Sequence, residues 1–301
     1  MSHGGSKKVV LFALLANGGI AAAKFAAALA TGSGAMMAEA IHSFADCGNQ
    51  LLLLLGAARA TKAPTVDHPL GYGREAYFWG MLVAGLLFTL GGVFSVYEGV
   101  HKLAHPEPLE HVGWAIAVLL FSIALETMSF RVAWKEIVKL KGERSLIGWA
   151  RTTGDIDLLA VTFEDLSAEI GLSLALTAIL LTLATGDPRF DAAGSIAVGA
   201  VLLGVAIFLG AQIRRLIVGY AVGEEMRHRI RDIWNARGFE IFRLIAVWTG
   251  PHKVMLAIKV KLPEDERDAR RLVERLNEAE AAVRAALPEI HFSFVEPDVA
   301  D

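Results

Sequence analysis

Six long apolar runs dominate this chain, at residues 9–30, 36–58, 77–103, 112–134, 158–184 and 192–212. About 20 apolar residues in a helix cross the hydrocarbon core of a bilayer. Inside that core every backbone N–H and C=O must be satisfied within the segment, so each run is read as a helix. Turn signals fall between the runs: Thr31-Gly32-Ser33-Gly34, His105-Pro106-Glu107-Pro108 and Gly186-Asp187-Pro188. The expected fold class is an α-helical membrane protein. Six transmembrane helices occupy residues 1–222, and a small cytoplasmic α+β domain occupies 223–301.

Composition supports the division. The chain is 54% hydrophobic and 20% charged, whereas soluble domains sit near 45–50% apolar and about 25% charged. The excess is confined to the first part, and the tail reads as an ordinary soluble domain. Its order is expected to be helix 224–237, strands 239–247 and 253–262 joined by Thr249-Gly250-Pro251, helix 265–287 and strand 290–295. A net charge of −3 with no basic stripe argues against a nucleic-acid partner. The lone Cys47 excludes an intrachain disulfide and a Cys-rich metal site. No small-residue cleavage site follows the first run, which is read as a retained span.

Loop charge gives orientation. Lys7, Lys8, Arg59, Lys62, Arg74, Lys135, Lys139, Lys141, Arg144, Arg151, Arg214 and Arg215 fall on one side, and the short loops of the other side offer only Arg189. Cytoplasmic loops carry the Lys/Arg excess, so both termini are expected in the cytoplasm, with a bacterial inner membrane as the location.

Ionisable residues inside spans point to function, because each costs about 2.5–3.5 kcal/mol at mid-membrane on insertion scales. The second span holds Glu39, His42, Asp46 and Asn49, whose spacing puts all four on one stripe. His42 and Asp46 are i, i+4 neighbours able to hold one ion. The fifth span holds Glu164, Asp165 and Glu169. Asp165 and Glu169 share a face, with Glu164 about 100° away. Three acids within two turns repel one another without a cation, a proton or a basic partner. The bland alternatives are a packed polar stripe in the second span and solvated acids at a helix end in the fifth. Lys24 is read as a structural partner for an acid such as Glu39, and Glu98 and Glu126 are read as interfacial.

These residues resemble a known family. Ala38-Glu39-Ala40-Ile41-His42-Ser43-Phe44-Ala45-Asp46 with Asn49-Gln50 resembles the second-helix signature of cation diffusion facilitators. Asp67-His68-Pro69-Leu70-Gly71-Tyr72-Gly73-Arg74 resembles the loop before their third helix, and Phe294-Val295-Glu296-Pro297-Asp298 the end of their cytoplasmic domain. Glu164-Asp165 followed by Ala168 and Gly171 looks like the fifth helix of a branch with mitochondrial and prokaryotic members.

The resemblance implies a homodimeric secondary transporter, not an enzyme, that exchanges a divalent cation, zinc first, for protons. Its midplane site would be shared by helices two and five. The implied ligands here are His42, Asp46, Asp165 and Glu169, with Glu164 as a further candidate, and no prosthetic group is implied. Zinc-selective members place His-x-x-x-Asp on both helices. Here Val161 stands four residues before Asp165, so the second His is missing. The oxygen-rich set that remains leaves iron, cobalt and manganese as alternative cargo. Tyr72 replaces a second loop His, so a loop metal site beside His68 is not expected. His228, His252 and His291 in the tail are candidates for a further site. A membrane metalloenzyme or a metal sensor built on the same His and Asp residues is the rival reading.

Overall fold

The computed structural model describes residues 4–31, 34–105, 112–262 and 268–299. Side chains are described from Lys8 onward, except those of residues 24, 27, 28, 30, 31, 34–42 and 45. His42, Glu39 and Lys24 therefore have their backbone described and their side chains outside the described set.

Six long helical segments match the apolar runs. They are α1 (Gly4–Thr31), α2 (Gly34–Ala60), Glu75–Ala104, α5 (Val112–Lys141), α7 (Ile156–Thr185) and α8 (Arg189–Val218). The third consists of α3 (Glu75–Leu86), a π-helical segment (Leu87–Val93) and α4 (Phe94–Ala104). Among the described residues, Glu75–Ala104, α5, α7 and α8 are each long and apolar enough to cross a membrane. No more than 33% of their apolar windows is buried inside the protein, so most of that apolar surface is left for lipid.

Packing between helices relies on small residues, as is usual where lipid removes the hydrophobic driving force. Gly99 lies against Ile196 and the Ala192 carbonyl, and Gly199 lies against Val96 and the Gly92 carbonyl. Neither position has room for a Cβ, so α4 and α8 approach backbone to backbone. In turn α7 packs on α5 and α8, and α1 on α2. A short helix unforeseen in the sequence, α6 (Leu146–Thr152), precedes α7 and is capped by Ser145 Oγ accepting from Gly148 N. The π-helical segment widens one turn of the third span, a distortion often found at functional sites.

The tail holds α9 (Glu224–Asn235), β1 (Ile241–Gly250), β2 (Lys253–Lys261), α10 (Ala269–Ala286) and β3 (Ile290–Asp298). Its sheet order is β1-β2-β3, the first pair antiparallel and the second parallel. Residues 220–222 already pair with β1, through Val222 N to Ala246 O and Trp248 N to Tyr220 O. Ile230 and Trp234 of α9 and Leu276, Ala279 and Val283 of α10 are buried, as are Ala246, Val254, Leu256 and Ile258 of the sheet.

Candidate metal site

One cavity of about 370 Å3 lies among α1, α2, the third span, α5, α7 and α8. Asn17, Asp46, Asn49, Glu126, Glu164 and Asp165 contribute its deep polar lining. It reaches to Glu98, Lys102 and Asp191 at the ends of α4 and α8 farthest from the tail domain. There Lys102 Nζ pairs with Asp191 Oδ2 at 3.1 Å. Toward the tail the cavity lining ends at Asn49 on α2 and Glu164 on α7, and Leu53, Tyr77, Ile156, Leu158 and Val161 beyond them are fully buried.

The helix registers explain which acids meet. Asp46 and Asn49 belong to the stripe of α2 that begins at Glu39 and His42. Asn49 Nδ2 donates to Glu164 Oε1 at 3.2 Å, joining α2 to α7. On the neighbouring face of α7, Asp165 Oδ2 accepts from Ser129 Oγ at 2.8 Å and Glu169 Oε1 accepts from Thr127 Oγ1 at 2.8 Å. Asp165 and Glu169 thus do share a face, and it turns toward α5. Glu164 and Asp165 line the cavity with Asp46, and Glu169 is absent from its lining. The candidates brought together are Asp46, Glu164 and Asp165.

Buried polar groups ordinarily have hydrogen-bond partners. Glu164 Oε2 and Asn49 Oδ1 are buried acceptors without one among the described residues, and both residues line the cavity. Oxygen acceptors of this kind suit a cation. Among the described residues no three His, Cys, Asp or Glu side chains converge closely enough to hold a metal ion. His42, one helical turn before Asp46, falls outside that description.

Glu126 corrects the interfacial reading. It sits mid-helix on α5, is 8% exposed and faces the cavity. The legible signal was the spacing of Ser122, Glu126 and Ser129, a polar stripe of period i, i+4, i+7 on an otherwise apolar helix. Glu98 likewise lines the cavity at its far end. Asp155 and Asp157, at the start of α7, are themselves 3% and 5% exposed.

In the loop before α3, the His68 and Tyr72 rings stack at 4.4 Å. The tail histidines go separate ways: His252 Nε2 meets Asp155 Oδ2 at 3.0 Å, His291 Nδ1 lies 3.0 Å from the Glu289 carbonyl oxygen, and His228 is exposed. The hydrogen bond that its ring N–H donates to the Asp155 carboxylate holds the His252 imidazole above its usual pKa, against the opposing effect of burial.

Residues 10–217 match the model of the cation efflux transmembrane domain. The chain is 33% identical over 232 residues to the human mitochondrial proton-coupled zinc antiporter SLC30A9, covering 76% of this chain and 41% of that protein. It is 32% identical over 222 residues to metal tolerance protein C4 of Arabidopsis thaliana, covering 73% of this chain and 49% of that protein. The chain thus spans less than half the length of these two relatives.

Proposed function

Because the chain belongs to the cation efflux family, we propose that it transports a divalent metal ion, zinc first, across a membrane in exchange for protons. The observation that carries this reading is that Asp46 of α2 lines the same cavity as Glu164 and Asp165 of α7. Acids from two helices within the spans, beside acceptors with no partner among the described residues, suit a cation better than a packing role.

His42 and Asp46 supply one nitrogen and one carboxylate from α2, and Asp165 and Glu164 supply oxygens from α7. Ligands must be deprotonated to bind, so metal entry releases protons and protonation releases metal. His42 is the natural group to titrate near neutral pH. The arrangement fits a state facing away from the tail, since the cavity reaches Lys102 and Asp191 and its lining ends toward the tail at Asn49 and Glu164. Transport then requires α2 and α7 to part at their tail-side ends. An oxygen-rich set tolerates manganese and iron better than a two-histidine site does.

Loop charge supports termini in the cytoplasm and export from it, with the bacterial inner membrane as the proposed location. A homodimer is part of the reading. On one sheet face Val247, Met255 and Phe292 form a row, and Ile245, Ala257 and Phe294 form the next. Ile245 and Phe294 are 46% and 55% exposed, so a partner sheet has apolar surface to cover.

The test is metal flux in liposomes containing the purified full chain. Zinc entry that is lost in Asp46→Asn supports the reading. Metal binding without flux in the parent protein overturns it.

A further inference from the structure

Two adjacent residues of the tail, His252 and Lys253, reach the ends of two different membrane helices. His252 Nε2 meets Asp155 Oδ2 at 3.0 Å. Asp155 is the N-cap of α7, where its Oδ1 accepts from Leu158 N. Lys253 Nζ donates to the Ala60 carbonyl at 2.9 Å, at the last residue of α2. A cation at a helix C-terminus and a carboxylate at a helix N-terminus are each favoured by the helix dipole.

The turn that carries the pair is tightly seated. Gly73, in the loop before α3, touches the Thr249 carbonyl and Gly250, and Gly154, next to Asp155, touches the Trp248 ring. No Cβ fits at either glycine. His252 itself has φ 54°, a left-handed conformation uncommon outside glycine and asparagine. The fold accepts that conformation where it aims the ring at Asp155.

We propose that His252 and Lys253 form a clasp that holds the tail-side ends of α7 and α2 together, keeping the cytoplasmic mouth of the metal path shut. Each is a positioning residue, acting on the metal-bearing helices through Asp155 and Ala60. The clasp ties the position of the whole tail domain to the gap between α2 and α7. Anything that draws the β1–β2 turn away frees both helix ends at once. The proposal rests on the reading of α2 and α7 as the walls of the path.

Its test reads the gap directly and does not depend on flux. In a Cys47→Ser background, Ala57→Cys places a thiol on α2 between the cavity and the clasp, at a position 9% exposed. Full-length protein in vesicles is labelled with a membrane-impermeant maleimide from the tail side. The parent should be protected. His252→Gly and Lys253→Met should each speed labelling about ten-fold, the factor one charge-assisted hydrogen bond is worth. Glycine suits φ 54°, so His252→Gly removes the ring without straining the turn. His252→Gln keeps a donor for Asp155 and should restore protection, and His228→Ala, exposed on α9, should leave labelling unchanged. Equal labelling of parent, His252→Gly and Lys253→Met would overturn the clasp. So would His228→Ala labelling as fast as they do. Accelerated labelling in a protein that moves no metal would keep the clasp and sink the transport reading.

Discussion

Asn49 Nδ2 lies 3.2 Å from Glu164 Oε1, so α2 and α7 are joined by a hydrogen bond at the depth of their acids. Glu164 lines the cavity, and its other oxygen has no hydrogen-bond partner among the described residues. Asp165, one residue on, is turned toward Ser129 of α5 while still lining the cavity. The two neighbours thus approach one space from different sides.

Glu164→Gln should therefore damage zinc flux more than Glu169→Gln. Glutamine at 164 loses the charge facing Asp46 and keeps an acceptor for Asn49, while Glu169 accepts from Thr127 outside the cavity. Losing one charged ligand should cost flux at least about ten-fold, on the scale of charge-assisted hydrogen bonds. Initial rates in matched liposomes decide it. A dead Glu169→Gln beside an active Glu164→Gln would return the site to the Asp165 and Glu169 face.

His42→Ala and Asp46→Asn should each abolish flux while the protein remains folded, because neither change removes an apolar packing group. Near-parental zinc rates in either variant, with an unchanged gel-filtration profile, would remove α2 from the site.

Glu126→Gln should lower flux without loss of thermal stability. The residue is buried in the cavity wall, and glutamine preserves its volume and hydrogen bonding. Flux equal to the parent would make Glu126 a packing residue only.

Much of this was legible from residue order. The six apolar runs forecast six helices because lipid leaves a spanning backbone few other options. The alternation in 253–262 forecast β2, observed as Lys253–Lys261. Asp165 and Glu169 were placed on one face correctly, yet helical periodicity does not say which neighbour a face meets. That depends on how α5, α7 and α8 pack, which is why Glu164 reaches the cavity and Glu169 does not. Glu126 was missed because its charge was weighed alone rather than with Ser122 and Ser129. The His252–Asp155 pair joins residues 97 apart, a contact no local pattern encodes.

Docking of the tail should weaken as pH rises. Asp155 raises the pKa of His252 on docking, so the stabilisation is fully present below the ordinary value of about 6.5. It is lost as pH climbs through the raised value. Glu289 also favours the charged ring, while Asp157 lies in the first turn of α7 and Lys253 adjoins His252 in sequence. Because the thiolate is the reacting species, the rate is divided by that of a free thiol at the same pH; so corrected, labelling of Ala57→Cys should accelerate from mildly acidic to alkaline pH, and His252→Gln should flatten that dependence. A parent profile as flat as that of His252→Gln would show that the pair does not control docking.

Coupled flux tests the central claim most directly. Liposomes holding the purified chain, loaded with a zinc dye and a pH dye, should show zinc moving up its own gradient when an opposing proton gradient is imposed. Protons should run down in step, and both movements should vanish in Asp46→Asn. Zinc that moves only down its gradient with no proton counterflow, or no zinc movement at all in the parent, would contradict the account.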